Sequence, residues 1–329
     1  MGIIYMILSK LGAAGKMIAM KKCGKVASGH ENSVKINLIR SLGCFIISLA
    51  VALIGGMGNM KGTGAVISAV SGVANAALLF SWVLAATLAP MSTVEIFCMI
   101  GGIVIPLILS PLMIEAEAVS VIEWLGALIL FPAAICFRAP RSTDGGGMKA
   151  SAVPYLLLAG LSNSACVLTQ KLYAAYDGGG TAEFNLFTFG VCSATLALCF
   201  GAMKLFGALK RRRGALCKEK EQCTQAQFSE GRHNGTHSEA GGLGGKSAST
   251  STKTALYVAV AVVMLYLSNY FSLLASYALP SGLLFPLSYA IGMPLTVACD
   301  TVFFGEKIRL RTVIGAVLVI ISVILTGLG

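Results

Sequence analysis

The chain is dominated by long apolar runs. Ten of them approach the ~20 residues that an α-helix needs to cross the hydrocarbon core of a bilayer. They occupy residues 3–20, 36–55, 64–88, 93–113, 119–137, 152–174, 183–206, 254–278, 282–304 and 311–328. Backbone polar groups in lipid must be satisfied within their own segment, and the alternating pattern of a barrel strand is absent, so each run predicts a helix. The predicted fold class is an all-α polytopic membrane protein with ten transmembrane helices.

Composition excludes the soluble classes and argues against a nucleic-acid partner. Only 12% of the residues are charged and 56% are hydrophobic, whereas a soluble domain has about 25% charged residues. The net charge of +11 could suggest nucleic acid, but ten of the basic residues fall between Lys204 and Lys253 in one polar insertion. No aromatic interleaving or recognised nucleic-acid module accompanies them.

The polar insertion at residues 207–253 is rich in charge, Gly, Ser and Thr, a composition typical of disorder. Its Cys217, Cys223, His233 and His237 have a spacing that is loosely similar to a zinc site, but the gap between the two cysteines is too long for the usual pattern. We therefore predict a disordered loop between the seventh and eighth spans, and neither a metal nor a cofactor.

Positive charge is concentrated on one side of the predicted spans. Loops 1–2, 5–6, 7–8 and 9–10, with their edges, carry 21 Lys and Arg, and the opposite face carries Lys61 alone. The positive-inside rule places residues 207–253 in the cytoplasm and both termini outside. We expect an integral, multi-pass protein of the cell (plasma or inner) membrane.

The ten spans divide into two halves that share short sequence matches. Residues 1–138 and 149–329 hold five spans each, with the 207–253 loop inside the second half. Asn37 matches Asn185 and Cys44 matches Cys192 at the same offset of 148. Because five is odd, the second half must enter the membrane upside down relative to the first. The prediction is two inverted five-helix repeats, an architecture typical of alternating-access transporters.

The end of each half resembles the drug/metabolite transporter superfamily, EamA-like branch. The clearer copy is FFGEKIRLRTVIGAVLVIISVILTG at 303–327, and the weaker copy is MIEAEAVSVIEWLGALILFPAAICF at 113–137. The resemblance implies a ten-helix secondary transporter or exporter of small metabolites or drug-like compounds. Members of this family often have cytoplasmic termini, which is the opposite of what the charge count favours, so two orientations stay open.

The eighth span carries the first group of candidate site residues. Tyr266, Asn269 and Tyr270 fall within one sector of the helix near its middle. An unpaired amide in lipid is costly, so this sector should face protein or water. Two interpretations stay open. In the first, these residues line a solute site, and the aromatic pair would suit a flat or amphiphilic solute. In the second, Asn269 makes a structural hydrogen bond between helices.

The third span carries two patterns on different faces. Asn75 and Trp82 share one face and could look into a cavity. The other face is a stripe of small residues that predicts close helix packing, formed by Gly64, Ser68, Gly72 and Ala76.

Charged residues inside apolar runs are functional candidates by default. Lys10 is the deepest of them, and together with Asn163 of the sixth span it could meet an anionic group. Lys16 and Lys171 lie near span ends, where snorkelling to the interface explains them.

Glu95 and Asp300, each within a few residues of a span end, are candidates for coupling to a proton or another ion.

Motifs for catalysis are absent: the three His lie in loops, and there is no H-E-x-x-H, G-x-S-x-G or Walker A sequence. We therefore predict that the protein is not an enzyme. We predict a secondary active transporter that moves a small organic metabolite or drug-like solute by alternating access, with transport coupled to a proton or another ion or occurring by exchange. The alternatives are a flippase for lipid-linked or amphiphilic molecules and a non-transporting membrane scaffold.

Overall fold

The computed structural model describes residues 1–23, 30–56, 58, 60–88, 91–114, 120–137, 150–176, 179–226, 248–304 and 310–328. Within them the chain is all helical, and each predicted apolar run overlaps one α-helix. The helices are α1 (Gly2–Cys23), α2 (His30–Gly55), α3 (Gly62–Leu88), α4 (Met91–Met113), α5 (Val121–Phe137), α6 (Val153–Tyr176), α7 (Thr181–Ala226), α8 (Ala248–Ala278), α9 (Ser281–Phe304) and α10 (Leu310–Leu328). A 3-10 turn at Ala150–Ala152 precedes α6.

Length and apolarity make this chain an integral membrane protein. Six of the described helices, namely α1, α2, α3, α7, α8 and α9, are long and apolar enough to cross a membrane. α4, α5 and α10 each contain a shorter apolar stretch. The prediction of an all-α polytopic membrane protein is confirmed at this level.

Two helices begin with a side chain that satisfies their first free backbone groups. At α5, the Ser120 N–H donates to Glu123 Oε2 at 2.7 Å, and the Glu123 N–H donates back to Ser120 Oγ at 3.1 Å. At α7, the Gly180 N–H donates to Glu183 Oε2 at 3.2 Å. Both buried carboxylates are therefore used to start helices, as in a capping box.

The 207–253 segment, predicted to be a disordered loop, contains helix at both of its ends. α7 continues to Ala226 and α8 begins at Ala248, while residues 227–247 lie outside the described part of the chain. Extension of an existing helix needs no new nucleus, and Lys, Arg, Glu, Gln, Ala and Leu, which dominate residues 207–222, favour helix.

The small-residue stripe of α3 packs closely, as predicted. Ser68, Gly72 and Ala76 are buried, and Thr188 Oγ1 of α7 donates to the Ser68 carbonyl at 3.3 Å. A Cβ at Gly72 would lie 2.6 Å from the Thr188 carbonyl oxygen. Only glycine lets the two backbones approach this far.

Most of the helix pairs that pack together recur when each helix is exchanged for the one five places away; α5–α9 and α6–α8 do not. α1 packs on α8 as α6 packs on α3, α1 on α9 as α6 on α4, and α2 on α8 as α7 on α3. The pairs α2–α7, α4–α9 and α5–α10 map onto themselves. The first five helices and the last five therefore make largely equivalent contacts.

Candidate functional site

A cavity of about 210 Å³ lies between the two groups of five helices. Side chains of α1, α2 and α3 line it together with side chains of α6, α7, α8 and α9. Its lining side chains come from the middle of α1, α2, α3 and α6, the first half of α7 and α9, and the second half of α8. Drug-sized ligands need about 300–1,000 Å³, so this space suits a smaller molecule.

α1 contributes the charged part of the wall. Lys10, Ala13 and Lys16 follow one another at three-residue intervals, and all three line the cavity. The Lys10 Nζ lies 5.5 Å from the centroid of the Tyr289 ring, a cation–π contact. Arg40 of α2 is buried behind the wall, where its Nη1 donates to Asn37 Oδ1 at 2.9 Å. Positive charge is therefore gathered on one side of the cavity.

A hydrogen-bonded group joins α4, α6 and α9 beside Lys10. The Asn163 Nδ2 donates to the Cys98 carbonyl at 2.7 Å and to the Tyr289 hydroxyl at 2.5 Å. The Tyr289 hydroxyl in turn donates to the same carbonyl at 3.4 Å. Both hydrogens of the Asn163 amide are occupied, so this side chain can offer a solute its carbonyl oxygen but not its amide hydrogens.

A second hydrogen-bonded group joins α6 to α8. The Gln170 Nε2 donates to Asn269 Oδ1 at 3.3 Å, and the Ser272 hydroxyl donates to Gln170 Oε1 at 2.8 Å. Asn269 Nδ2 also donates to the Leu265 carbonyl at 3.2 Å. Asn269 thus makes the bond between helices that one interpretation required, and it lines the cavity as the other required.

Four of the residues predicted for substrate binding come together at this cavity: Lys10, Asn75, Asn163 and Asn269. They belong to α1, α3, α6 and α8, and only the packing of these helices brings them together.

The remaining candidates lie elsewhere. Tyr266 is 6% exposed and packs with Cys44, Phe189 and Val262 in an apolar cluster beside Tyr270. The Tyr266 ring stacks on the Tyr270 ring with their centroids 6.0 Å apart, and neither tyrosine lines the cavity. The aromatic pair therefore sits behind the wall.

Trp82 packs in a separate apolar cluster with Ala85 and Leu156. The side chains of Glu95 and Asp300 lie outside the described part of the structure.

No family model matches the sequence, and no curated protein matches it. Among solved structures, 28 chains match its fold. One crystal structure of a protein is similar with a TM-score of 0.70 at 14% sequence identity, over 99% of this chain and 96% of the other. This similarity concerns the fold alone.

Sequence reasoning missed several residues of the wall. Lys16 was interpreted as snorkelling, and Tyr289 and Gln170 were not singled out. Gln170 could have been found by the same argument as Asn269, because an amide in the middle of an apolar run needs a partner.

Lys171, the other lysine interpreted as snorkelling, is 6% exposed and bonded within the bundle. Its length lets the ammonium reach backbone carbonyls of a neighbouring helix, which are partners that a single sequence does not reveal.

Proposed function

We propose that this chain is a secondary active transporter that moves a small organic solute across the plasma membrane by alternating access. The observation that carries the proposal is the central cavity, whose wall is supplied by both groups of five helices. In alternating access, a site at the interface of two halves opens first to one side of the membrane and then to the other.

The proposal includes ten membrane-spanning helices arranged as two inverted five-helix repeats, residues 1–138 and 149–329. Support comes from helix contacts that recur under a shift of five helices and from the offset matches in the sequence. The resemblance of residues 303–327 and 113–137 to the EamA-like branch of the drug/metabolite transporter superfamily agrees with the same arrangement.

The cavity favours a small solute over an amphiphile. A space of about 210 Å³ is smaller than the ~300–1,000 Å³ of drug-sized sites, which favours a compact solute over one with a long acyl chain. The mixed lining of amides, hydroxyls and apolar side chains fits a compact molecule with both polar and apolar parts.

Reconstitution with a mixture of candidate solutes tests the proposal. Purified protein in liposomes would be incubated with a uniformly ¹³C-labelled extract of small metabolites, and the trapped compounds would be identified by mass spectrometry. We expect one or a few compounds to accumulate above protein-free liposomes. No protein-dependent accumulation, in either orientation of the protein, would contradict transport.

A matched pair of variants on α9 links that accumulation to the cavity. Ser288 lines the cavity and Ala298 is exposed on the same helix. Ser288→Trp should fill the space and stop accumulation, whereas Ala298→Trp should leave it intact. Equal activity of the two variants would place the pathway elsewhere.

A further inference from the structure

The strongest unassigned feature of the cavity is its charge. Its described lining includes the two lysines, Lys10 and Lys16, and no aspartate or glutamate. Among the described residues, neither ammonium has a carboxylate partner within ion-pair distance, and the Tyr289 ring beside Lys10 carries no net charge. The wall therefore holds positive charge that these side chains do not neutralise.

Other positive charges act on Lys16. Lys16 lies close enough to Lys10 and to Arg40 for their positive charges to act on it. Arg40 is 5% exposed, so water screens its charge poorly. Like charges gathered away from water are costly unless an opposite charge joins them. An anion in the cavity beside Lys10 and Lys16 would therefore stabilise the folded protein.

We propose that Lys10 and Lys16 bind an anionic group, a carboxylate or a phosphate, of the solute that occupies this cavity. The inference rests on the proposed function in that it names the solute class of the same site. A lysine ammonium binds such groups as a point charge with three donors. The small volume limits the solute to a compact organic anion.

The rest of the solute would contact polar side chains of α8 and α9. Ser268, Asn269 and Ser272 of α8 line the cavity together with Ser288 of α9, and all are uncharged. The lining is thus positive at Lys10 and Lys16 and neutral but polar at these residues of α8 and α9. A molecule with one charged end and a hydroxyl or carbonyl at the other end matches both.

Binding can be measured on the purified full-length protein in a neutral detergent. Thermal unfolding would be followed with succinate against succinamide, and with glycerol 3-phosphate against glycerol, because each pair contrasts an anion with a related neutral molecule. A ligand held by the folded state raises the unfolding temperature as its concentration passes its dissociation constant. We expect at least one anion to raise this temperature and its neutral counterpart to have no effect.

Charge variants assign the effect to the two lysines. Lys10→Met and Lys16→Met should each weaken anion binding by about 10- to 150-fold, the range expected for loss of a charged hydrogen bond. Lys16→Arg should retain binding because it keeps the charge. Lys35→Met, which removes an exposed lysine of α2, is the control and should bind as the unmodified protein does.

Unfolding without added ligand separates binding from a structural role. Removal of an unneutralised, half-buried charge should leave the unfolding temperature of Lys10→Met unchanged or higher. A fall in that temperature, combined with unchanged anion affinity in the folded fraction, would show that Lys10 is structural and would overturn the proposal.

A lipid headgroup offers the same phosphate chemistry as a free solute. Phosphatidylglycerol and phosphatidylcholine, added to the detergent in parallel, distinguish these sources. Lysine-dependent stabilisation by phosphatidylglycerol alone would support anion recognition with a lipid as the ligand. If neither the soluble anions nor this lipid stabilise the protein more than their neutral or zwitterionic counterparts, the proposal is wrong.

These outcomes are distinguishable from failure of the proposed function. Anion binding without accumulation in liposomes would retain this inference and contradict transport. Accumulation of a neutral or cationic solute, blocked by Ser288→Trp, would retain transport and contradict anion recognition.

Discussion

The Lys171 Nζ of α6 donates a hydrogen bond of 2.7 Å to the backbone carbonyl of Leu279, immediately beyond the end of α8. The same ammonium donates to the Ser276 carbonyl at 3.3 Å. The last carbonyls of a helix have no partner within it, and a cation at this end is favourable. Lys171 of α6 therefore caps the C-terminal end of α8.

Lys171→Met should lower the free energy of unfolding by roughly 1–3 kcal/mol, because it leaves buried carbonyls without these donors. Thermal unfolding in detergent measures this change. Lys35→Met, at an exposed position of α2, should have little effect and serves as the control. Equal stability of the two variants would mean that the carbonyls of α8 find other partners.

The crossing of α4 and α6 depends on a glycine. A Cβ at Gly101 would lie 2.1 Å from the Gly160 carbonyl oxygen, so Gly101→Ala must push the helices apart. We expect a loss of about 1–3 kcal/mol in unfolding free energy. Gly201→Ala on α7, where a Cβ meets nothing within 4 Å, should be neutral or stabilising by up to ~1 kcal/mol. Equal unfolding temperatures of Gly101→Ala and Gly201→Ala would contradict this prediction.

The contact between Asn269 and Gln170 can be tested by a double-mutant cycle. Asn269→Leu removes the acceptor of Gln170 Nε2 and should reduce unliganded stability by about 1 kcal/mol. The double variant Asn269→Leu/Gln170→Leu should lose less unfolding free energy than the sum of the losses of the two single variants. The difference, the coupling energy, should be roughly 0.5–2 kcal/mol. Additive effects on stability, together with weaker solute binding, would show that Asn269 acts on the solute alone.

Orientation can be decided by labelling intact cells. A cysteine at Ser238, in the basic 207–253 segment, should not react with a membrane-impermeant thiol reagent if the positive-inside rule holds. A cysteine at Thr63, which is exposed near the start of α3 and which the charge count places on the opposite face, should react and provides the positive control. The reverse pattern would place both termini in the cytoplasm, as family resemblance suggests.

The candidate site was only partly predictable. Lys10, Asn163 and Asn269 could be found because a charge or amide in an apolar run is costly and needs a reason. The same reasoning selected Tyr266 and Tyr270, but a tyrosine ring is compatible with an apolar cluster, and that is where Tyr266 lies. Helical spacing places residues on a common sector without indicating what that sector faces.

The sequence alone determined the class of protein and the position of its helices, because apolar runs of this length have few other stable arrangements in a bilayer. The tertiary structure decided which polar side chains meet. It placed Lys16 at the cavity and Lys171 at the end of α8, although both looked alike in the sequence. The physical reason is that a buried lysine is stable wherever its long side chain reaches acceptors, and those acceptors belong to other helices, whose rotation and register are set by packing.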